Sequence, residues 1–162
     1  MNKDLQNKLY ETFPKIFAQK DMSPQQTAMC WGISCGDGWY RIIETLCEMI
    51  QFEVDSPHAT IKRYEQYLLE EESNESSSKE YISNLRKSIL AEKNKIIPQV
   101  HFVQVKEKFG SLRVYTNNVG NSNVDAYIQF AETMSEKTCE VCGKYGKPSK
   151  GGWIKVTCDD CS

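Results

Sequence analysis

Val100-His101-Phe102-Val103-Gln104-Val105-Lys106-Glu107-Lys108-Phe109-Gly110-Ser111-Leu112-Arg113-Val114-Tyr115-Thr116 is the stretch where the apolar period changes from helical to alternating. Val100, Phe102 and Val105 mark one strand-like run, and Leu112 to Thr116 make a second. Residues 107–111 between them are short enough for a hairpin. Upstream the spacing is helical. Leu5, Leu9, Phe13, Ile16 and Phe17 predict a helix interrupted at Pro14, and residues 19–35 read as loop. Trp39, Ile42, Ile43, Leu46, Cys47 and Ile50 share one face of a helix from Asp37 to about residue 54, with Asp37 as its cap. Pro57 then allows a fresh helix over 59–70, a polar stretch covers 70–78, and Tyr81, Leu85 and Ile89 begin a further helix ending near Asn94. Downstream of the strands, Val124, Tyr127, Ile128, Ala131 and Met134 return to helical spacing. Helices followed by a small antiparallel hairpin or sheet define an α+β chain.

The chain closes on Cys139-Glu140-Val141-Cys142 and Cys158-Asp159-Asp160-Cys161, two C-x2-C pairs that read as a four-thiolate zinc knuckle or ribbon. Two tight turns bring four sulfurs to one tetrahedral ion. The intervening residues include Gly143, Gly146, Pro148 and Gly151-Gly152, and Trp153-Ile154-Lys155-Val156 alternates like a strand, so a short hairpin excursion is expected. Gly143, directly after the second cysteine, suits the backbone of a knuckle turn. Two disulfides or a redox C-x2-C are the competing readings, though no βαβ setting for a redox pair is visible. Four thiolates complete the tetrahedron, which favours a structural ion over a catalytic one.

The sequence has 162 residues, with 20 basic and 22 acidic side chains. Such balance argues against a long nucleic-acid footprint. Seven cysteines, an odd number, suit a reducing compartment better than a disulfide framework. No stretch approaches 18 apolar residues, and the first residues lack the apolar run of an export signal, so a soluble cytoplasmic protein is expected.

Cys30-Trp31-Gly32-Ile33-Ser34-Cys35-Gly36-Asp37-Gly38-Trp39 packs two tryptophans and three glycines into ten residues. Tryptophan demands burial and glycine adds unfolded-state entropy, so the segment has a specific task. It either docks on the core with Asp37 as a cap, or forms a ligand pocket at a helix mouth with Trp31, Asp37, Trp39 and Arg41. Trp39 is expected to be buried and Trp31 partly open to a cleft. Cys30, Cys35 and Cys47 read as core thiols.

On the hairpin, Lys106, Lys108 and Arg113 form either a basic ligand-binding face or the solvated side of a half-buried sheet. His58 and His101 are the two histidines, and neither stands in a recognisable nucleophile setting. Carboxylate chemistry through Asp37, Glu44 or Glu48 stays open, with little specificity.

Taken together, residues 30–47, 105–115 and roughly 128–161 resemble an uncharacterised family of small proteins encoded by bacteriophages and prophages. The resemblance implies a mobile-element origin and supports the grouping of Cys139, Cys142, Cys158 and Cys161, but it carries no activity with it. The middle lies outside the resemblance. The expected organisation is therefore a core over 1–137 with a variable helical insertion at 55–98, and a zinc-binding end over 138–162 packed on that core.

The leading functional expectation is a non-enzymatic accessory binding protein in the host bacterial cytoplasm, acting against host defence. Its partner would be a host protein or a small anionic, nucleotide-like ligand, with Zn2+ as the one metal and no membrane. The alternatives are a hydrolase of a small phosphorylated or nucleic-acid substrate, and a zinc-containing nucleic-acid-binding accessory protein.

Overall fold

The computed structural model describes residues 1–149, 152 and 154–162. Among these, two compact units emerge: Met1–Gln51 with Gln99–Ser162, and Phe52–Pro98. The fold class is α+β, as the change of period requires.

In the first unit, helix α1 (Lys3–Thr12) begins at Asn2, whose side-chain oxygen accepts from Leu5 N at 2.9 Å. It ends before Phe13-Pro14, because proline disfavours the helical conformation in the residue before it. A turn then places Ile16 and Phe17 in the core, where the Phe17 ring meets Phe102 edge-on at 5.4 Å. The expected loop over 19–35 contains a 3-10 turn at Met29–Trp31 and a two-residue strand, β1 (Ile33–Ser34).

Strand β2 (Phe102–Lys108) lies between β1, which it pairs in parallel, and β3 (Ser111–Thr116), which it pairs antiparallel. The hairpin is tighter than the expected five-residue connection, since Lys108 pairs with Ser111 and only Phe109 and Gly110 remain in the turn. Both adopt positive φ, 56° and 76°, as a type I′ turn demands. Phenylalanine is a costly residue there. The Glu107 carboxylate supports the turn by accepting from Gly110 N at 2.7 Å.

Each edge of the small sheet is covered. Beside β1, Met1 N donates to the Ile33 and Cys35 carbonyls. Beyond β3, helix α4 (Ser122–Ser135) presents two acceptors: Ser135 Oγ takes the Leu112 N–H at 2.8 Å, and Glu132 Oε1 takes the Val114 N–H at 3.2 Å. Covering the strand in this way removes a row of unpaired donors. Val105, Leu112 and Phe102 are fully buried with Trp39, Ile43, Leu46 and Ile50 in one apolar core.

Helix α2 runs unbroken from Tyr40 to Glu72 with Pro57 inside it. That corrects the two helices expected on either side of Pro57. An internal proline removes one hydrogen bond and costs about 3 kcal/mol, so the helix persists only where packing outweighs the loss. At the boundary of the units the side chains of Gln51 and Gln99 are paired, the Gln99 amide donating at 3.1 Å and the Gln51 amide at 3.3 Å. Within the second unit, helix α3 (Lys79–Lys93) runs antiparallel to the end of α2. Glu72 meets Arg86 at 2.6 Å, while Glu65 meets Lys93 at 3.4 Å. Val54, Pro57, Ile61, Leu85 and Ile89 are its buried apolar residues among those described.

Ser135 is fully buried. Replacing it by alanine leaves the Leu112 N–H without its acceptor, so Ser135→Ala is expected to lower stability by about 1–3 kcal/mol. Urea denaturation with the midpoint shifted at unchanged slope checks this; a midpoint within error of wild type would contradict it.

Candidate metal centre

The knuckle is built by short-range hydrogen bonds that curl the chain around its sulfurs. Cys139 N donates to Lys144 O at 2.7 Å and Gly143 N donates back to Cys139 O at 2.9 Å, which closes the first turn. Gly143 adopts φ 79°, the left-handed region in which glycine carries no Cβ penalty. The second turn is closed by Cys161 N donating to Cys158 O at 3.0 Å. Between them β4 (Lys147–Pro148) pairs antiparallel with β5 (Val156–Thr157), so the excursion is the expected short hairpin. Trp153, expected in its second arm, lies outside the described residues. Glu140 N donates to Val156 O at 2.9 Å and links one arm to the knuckle.

This framework gathers the Sγ atoms of Cys139, Cys142, Cys158 and Cys161 within 4.8 Å of one another, with Cys142 and Cys158 3.5 Å apart. A tetrahedral zinc with bonds near 2.3 Å sets sulfurs roughly 3.8 Å apart, so the four thiols fit that ion. Donor chemistry agrees: four soft sulfurs and no carboxylate or water position in the set. Cys30, Cys35 and Cys47 stand apart from the group. Cys35 and Cys47 are buried, which pushes the Cys35 thiol up to about 12 and Cys47 well above its ordinary value, while Cys30 donates to Thr27 O at 3.1 Å.

The four thiols are electrostatically unequal. Burial raises the Cys139 thiol, but N–H donors of Cys142, Cys158 and Val141 outweigh it and hold the group down to about 6. Cys161 is pushed up to about 12 by hydrogen bonds with the Cys142 and Cys158 thiols, and Cys158 is raised by desolvation. Any of these thiols that carries a proton must shed it to ligate a cation. Binding a cation releases those protons.

The aromatic-glycine segment docks directly on this knuckle. Gly38 N donates to Glu140 O at 2.8 Å, and Gly36 N donates to the Glu140 carboxylate at 2.8 Å. A Cβ at Gly38 would overlap the Cys139 carbonyl and lie 2.5 Å from Gly143 N. Trp39 follows, wholly buried, its indole N–H donating to Thr138 O at 2.8 Å.

These contacts redistribute the residues expected to bind a ligand. Trp39 is sequestered as a packing group. Asp37 does not cap a helix: its carboxylate accepts from Asn2 N at 2.6 Å and Asn2 Nδ2 at 2.7 Å, which holds it below its usual range. Arg41 pairs loosely with Glu44 at 3.6 Å, and Glu44 also accepts from the Tyr40 hydroxyl at 2.6 Å. Glu48 is exposed.

On the hairpin, Lys106 lies directly opposite Arg113 and shares its sheet face. Arg113 nevertheless acts as a strap, with Nη1 donating to Ser111 Oγ and to Leu112 O at 2.8 Å, and pairing with Glu132 at 3.4 Å. Lys106 and Lys108 sit over the Tyr115 and Phe109 rings, 5.3 and 5.6 Å from the centroids. His101 contacts Lys15 O through Nδ1 at 2.8 Å, and His58 belongs to the second unit.

Trp31 stands apart from Trp39. It is 68% exposed and lines a cleft of about 270 Å³ with Gln6, Asn7, Tyr10, Lys20 and Asp21. A second concavity, about 240 Å³, lies between α2 and α4 and is lined by Ile42, Leu46, Met49, Tyr127, Phe130 and Met134, with Arg41 at its edge. Sequence reading missed Phe130 and Tyr10. The visible signal for Phe130 was an aromatic residue off the apolar stripe of its own helix; Tyr10 gave none. No protein-family model, no curated protein and no solved structure matches the chain.

Because Gly36, Gly38 and Trp39 rest on the knuckle, stripping the metal is expected to loosen more than the last residues. Hydrogen exchange before and after chelation should show lost protection at Gly36, Gly38 and the Trp39 indole together with residues 139–161. Loss confined to 139–161 would contradict the coupling.

Asp37 adds an acid-sensitive contribution. Its folded value lies below the ordinary carboxylate value, so the stabilisation is present above the unfolded pKa and is lost as pH falls through the folded one. The stability difference between wild type and Asp37→Asn should be constant at neutral pH and shrink as acid protonates the wild-type carboxylate. A difference independent of pH down to strong acid would oppose this assignment.

Proposed function

We propose that this chain is a non-enzymatic accessory binding protein of phage or prophage origin. It works in the host cytoplasm by occupying a host protein, with zinc fixed by Cys139, Cys142, Cys158 and Cys161 as a structural clamp. Four thiolates fill the tetrahedron and leave no open position for a substrate or water. Two of the three carboxylates named for the hydrolase alternative are engaged elsewhere, Asp37 with Asn2 and Glu44 with Tyr40 and Arg41, while Glu48 is exposed. The nucleic-acid alternative loses its strongest hairpin contact to the Arg113–Glu132 pair. Among the described residues, no helix is long and apolar enough to cross a membrane.

The observation that carries this reading is the apolar groove between α2 and α4. Phe130 is 62% exposed at its side and Met134 is also exposed, although burial of one such side chain is worth about 1.5–3 kcal/mol. A groove between helices suits the apolar face of an amphipathic helix. Arg41, largely exposed at the groove edge, complements an acidic residue flanking that face. The occupant is thus a helical, acid-flanked segment of a host protein.

Native mass spectrometry of protein recovered from host lysate is expected to show one zinc per chain and one stoichiometric host polypeptide. Phe130→Asp should lose the polypeptide at least tenfold while retaining zinc and thermal stability. A complex that survives Phe130→Asp unchanged, or a freshly purified reduced protein without zinc, would sink the corresponding part of the proposal.

A further inference from the structure

The cleft beside Trp31 lies outside both the metal centre and the α2–α4 groove. Its floor comes from α1, where Gln6, Asn7 and Tyr10 fall within about one turn of each other, and its rim from Lys20, Asp21 and Trp31. The rim is fixed. Gln6 Oε1 accepts from Ile33 N at 2.7 Å, and Gly32, at φ 80°, lies so close to Gln6 that a Cβ there would come 3.0 Å from Nε2. The Trp31 indole is therefore held out from the surface by its neighbours.

Two features of this cleft are unexplained by packing. Trp31 exposes most of a large ring although Trp39, eight positions on, is wholly buried. Tyr10 has a buried hydroxyl with no hydrogen-bond partner among the described residues, and its ring is held between Phe17, at 5.0 Å, and the Lys20 ammonium, at 5.8 Å. That oxygen has no accessible surface, so it lies behind the cleft wall, and what Tyr10 gives the cleft is its ring. Burial and the nearby Asp21 push the Tyr10 hydroxyl up to about 12, and it keeps its proton at neutral pH.

Charge and size narrow the ligand. Lys20 is paired with Asp21, so the rim offers no free cation to take a phosphate. The volume of about 270 Å³ falls just below the usual range for drug-sized ligands. An exposed indole beside carboxamides matches a flat ring with polar edges.

We propose that this cleft binds a free nucleoside: the base stacks on Trp31, and Gln6 and Asn7 meet its polar edge. Stacking on an aromatic side chain supplies affinity for any base, and the hydrogen bonds supply the choice among them. The site is separate from the groove, so it stands whether or not a host protein binds there.

Isothermal titration of the zinc-loaded full chain with adenosine, guanosine, cytidine and uridine tests the assignment. At least one should bind at a single site with a dissociation constant of about 1 mM or tighter. Trp31→Ala should weaken it at least tenfold. Phe130→Asp should leave it unchanged, and circular dichroism of each variant should match wild type. No saturable binding by any of the four, or binding indifferent to Trp31→Ala in a folded variant, would overturn the proposal. A single-stranded tetranucleotide that binds more tightly than any nucleoside, with strong salt dependence, would also overturn it in favour of a nucleic-acid strand.

Discussion

The seating of Gly36-Asp37-Gly38-Trp39 on the Cys139–Gly143 turn is the constraint on which the rest of the first unit depends. Two segments about a hundred residues apart meet backbone to backbone, a distance of approach that only glycine permits at position 38. From that contact the order of construction follows. Trp39 enters the core with its one polar atom satisfied by Thr138, α2 departs from the adjoining residue, and Asn2 ties the start of α1 to the same loop while capping its own helix. The metal centre is consequently part of the foundation of the fold and no mere appendage at its end.

A three-stranded sheet with one two-residue member is a slight scaffold, and its stability comes from what borders it. Helix α4 supplies Ser135 and Glu132 as acceptors to the outer strand, and Glu132 at the same time restrains Arg113. One carboxylate thus seals a sheet edge and pairs with the one guanidinium of the expected basic hairpin face. The proposed binding surfaces are accordingly the α2–α4 groove and the Trp31 cleft. Rigid elements position both, which favours binding by a preformed surface.

Periodicity made α3, α4 and the hairpin legible because each buries a face of regular spacing. The cysteine pairs were legible because thiolate coordination dictates spacing directly. Pro57 misled, since local propensity predicts a break where α2 continues. Strand β1 was invisible: two residues carry no period, and its existence depends on β2 lying alongside. The tight turn was hidden by Phe109, a residue whose side chain opposes the left-handed conformation it adopts. Pairings between distant residues, Asp37 with Asn2 and Arg113 with Glu132, have no one-dimensional signature, and they decided which candidate ligand residues remained free to act.

The Gln51–Gln99 amide pair brings together the two points at which the chain leaves and re-enters the first unit. A segment whose ends are neighbours behaves, in genetic terms, as a cassette. Exchanging, shortening or deleting the sequence between those glutamines needs only a brief linker to rejoin them, while the four-cysteine knuckle and the sheet stay on the backbone outside it. The second helical unit is thus where a change in length would disturb the first unit least.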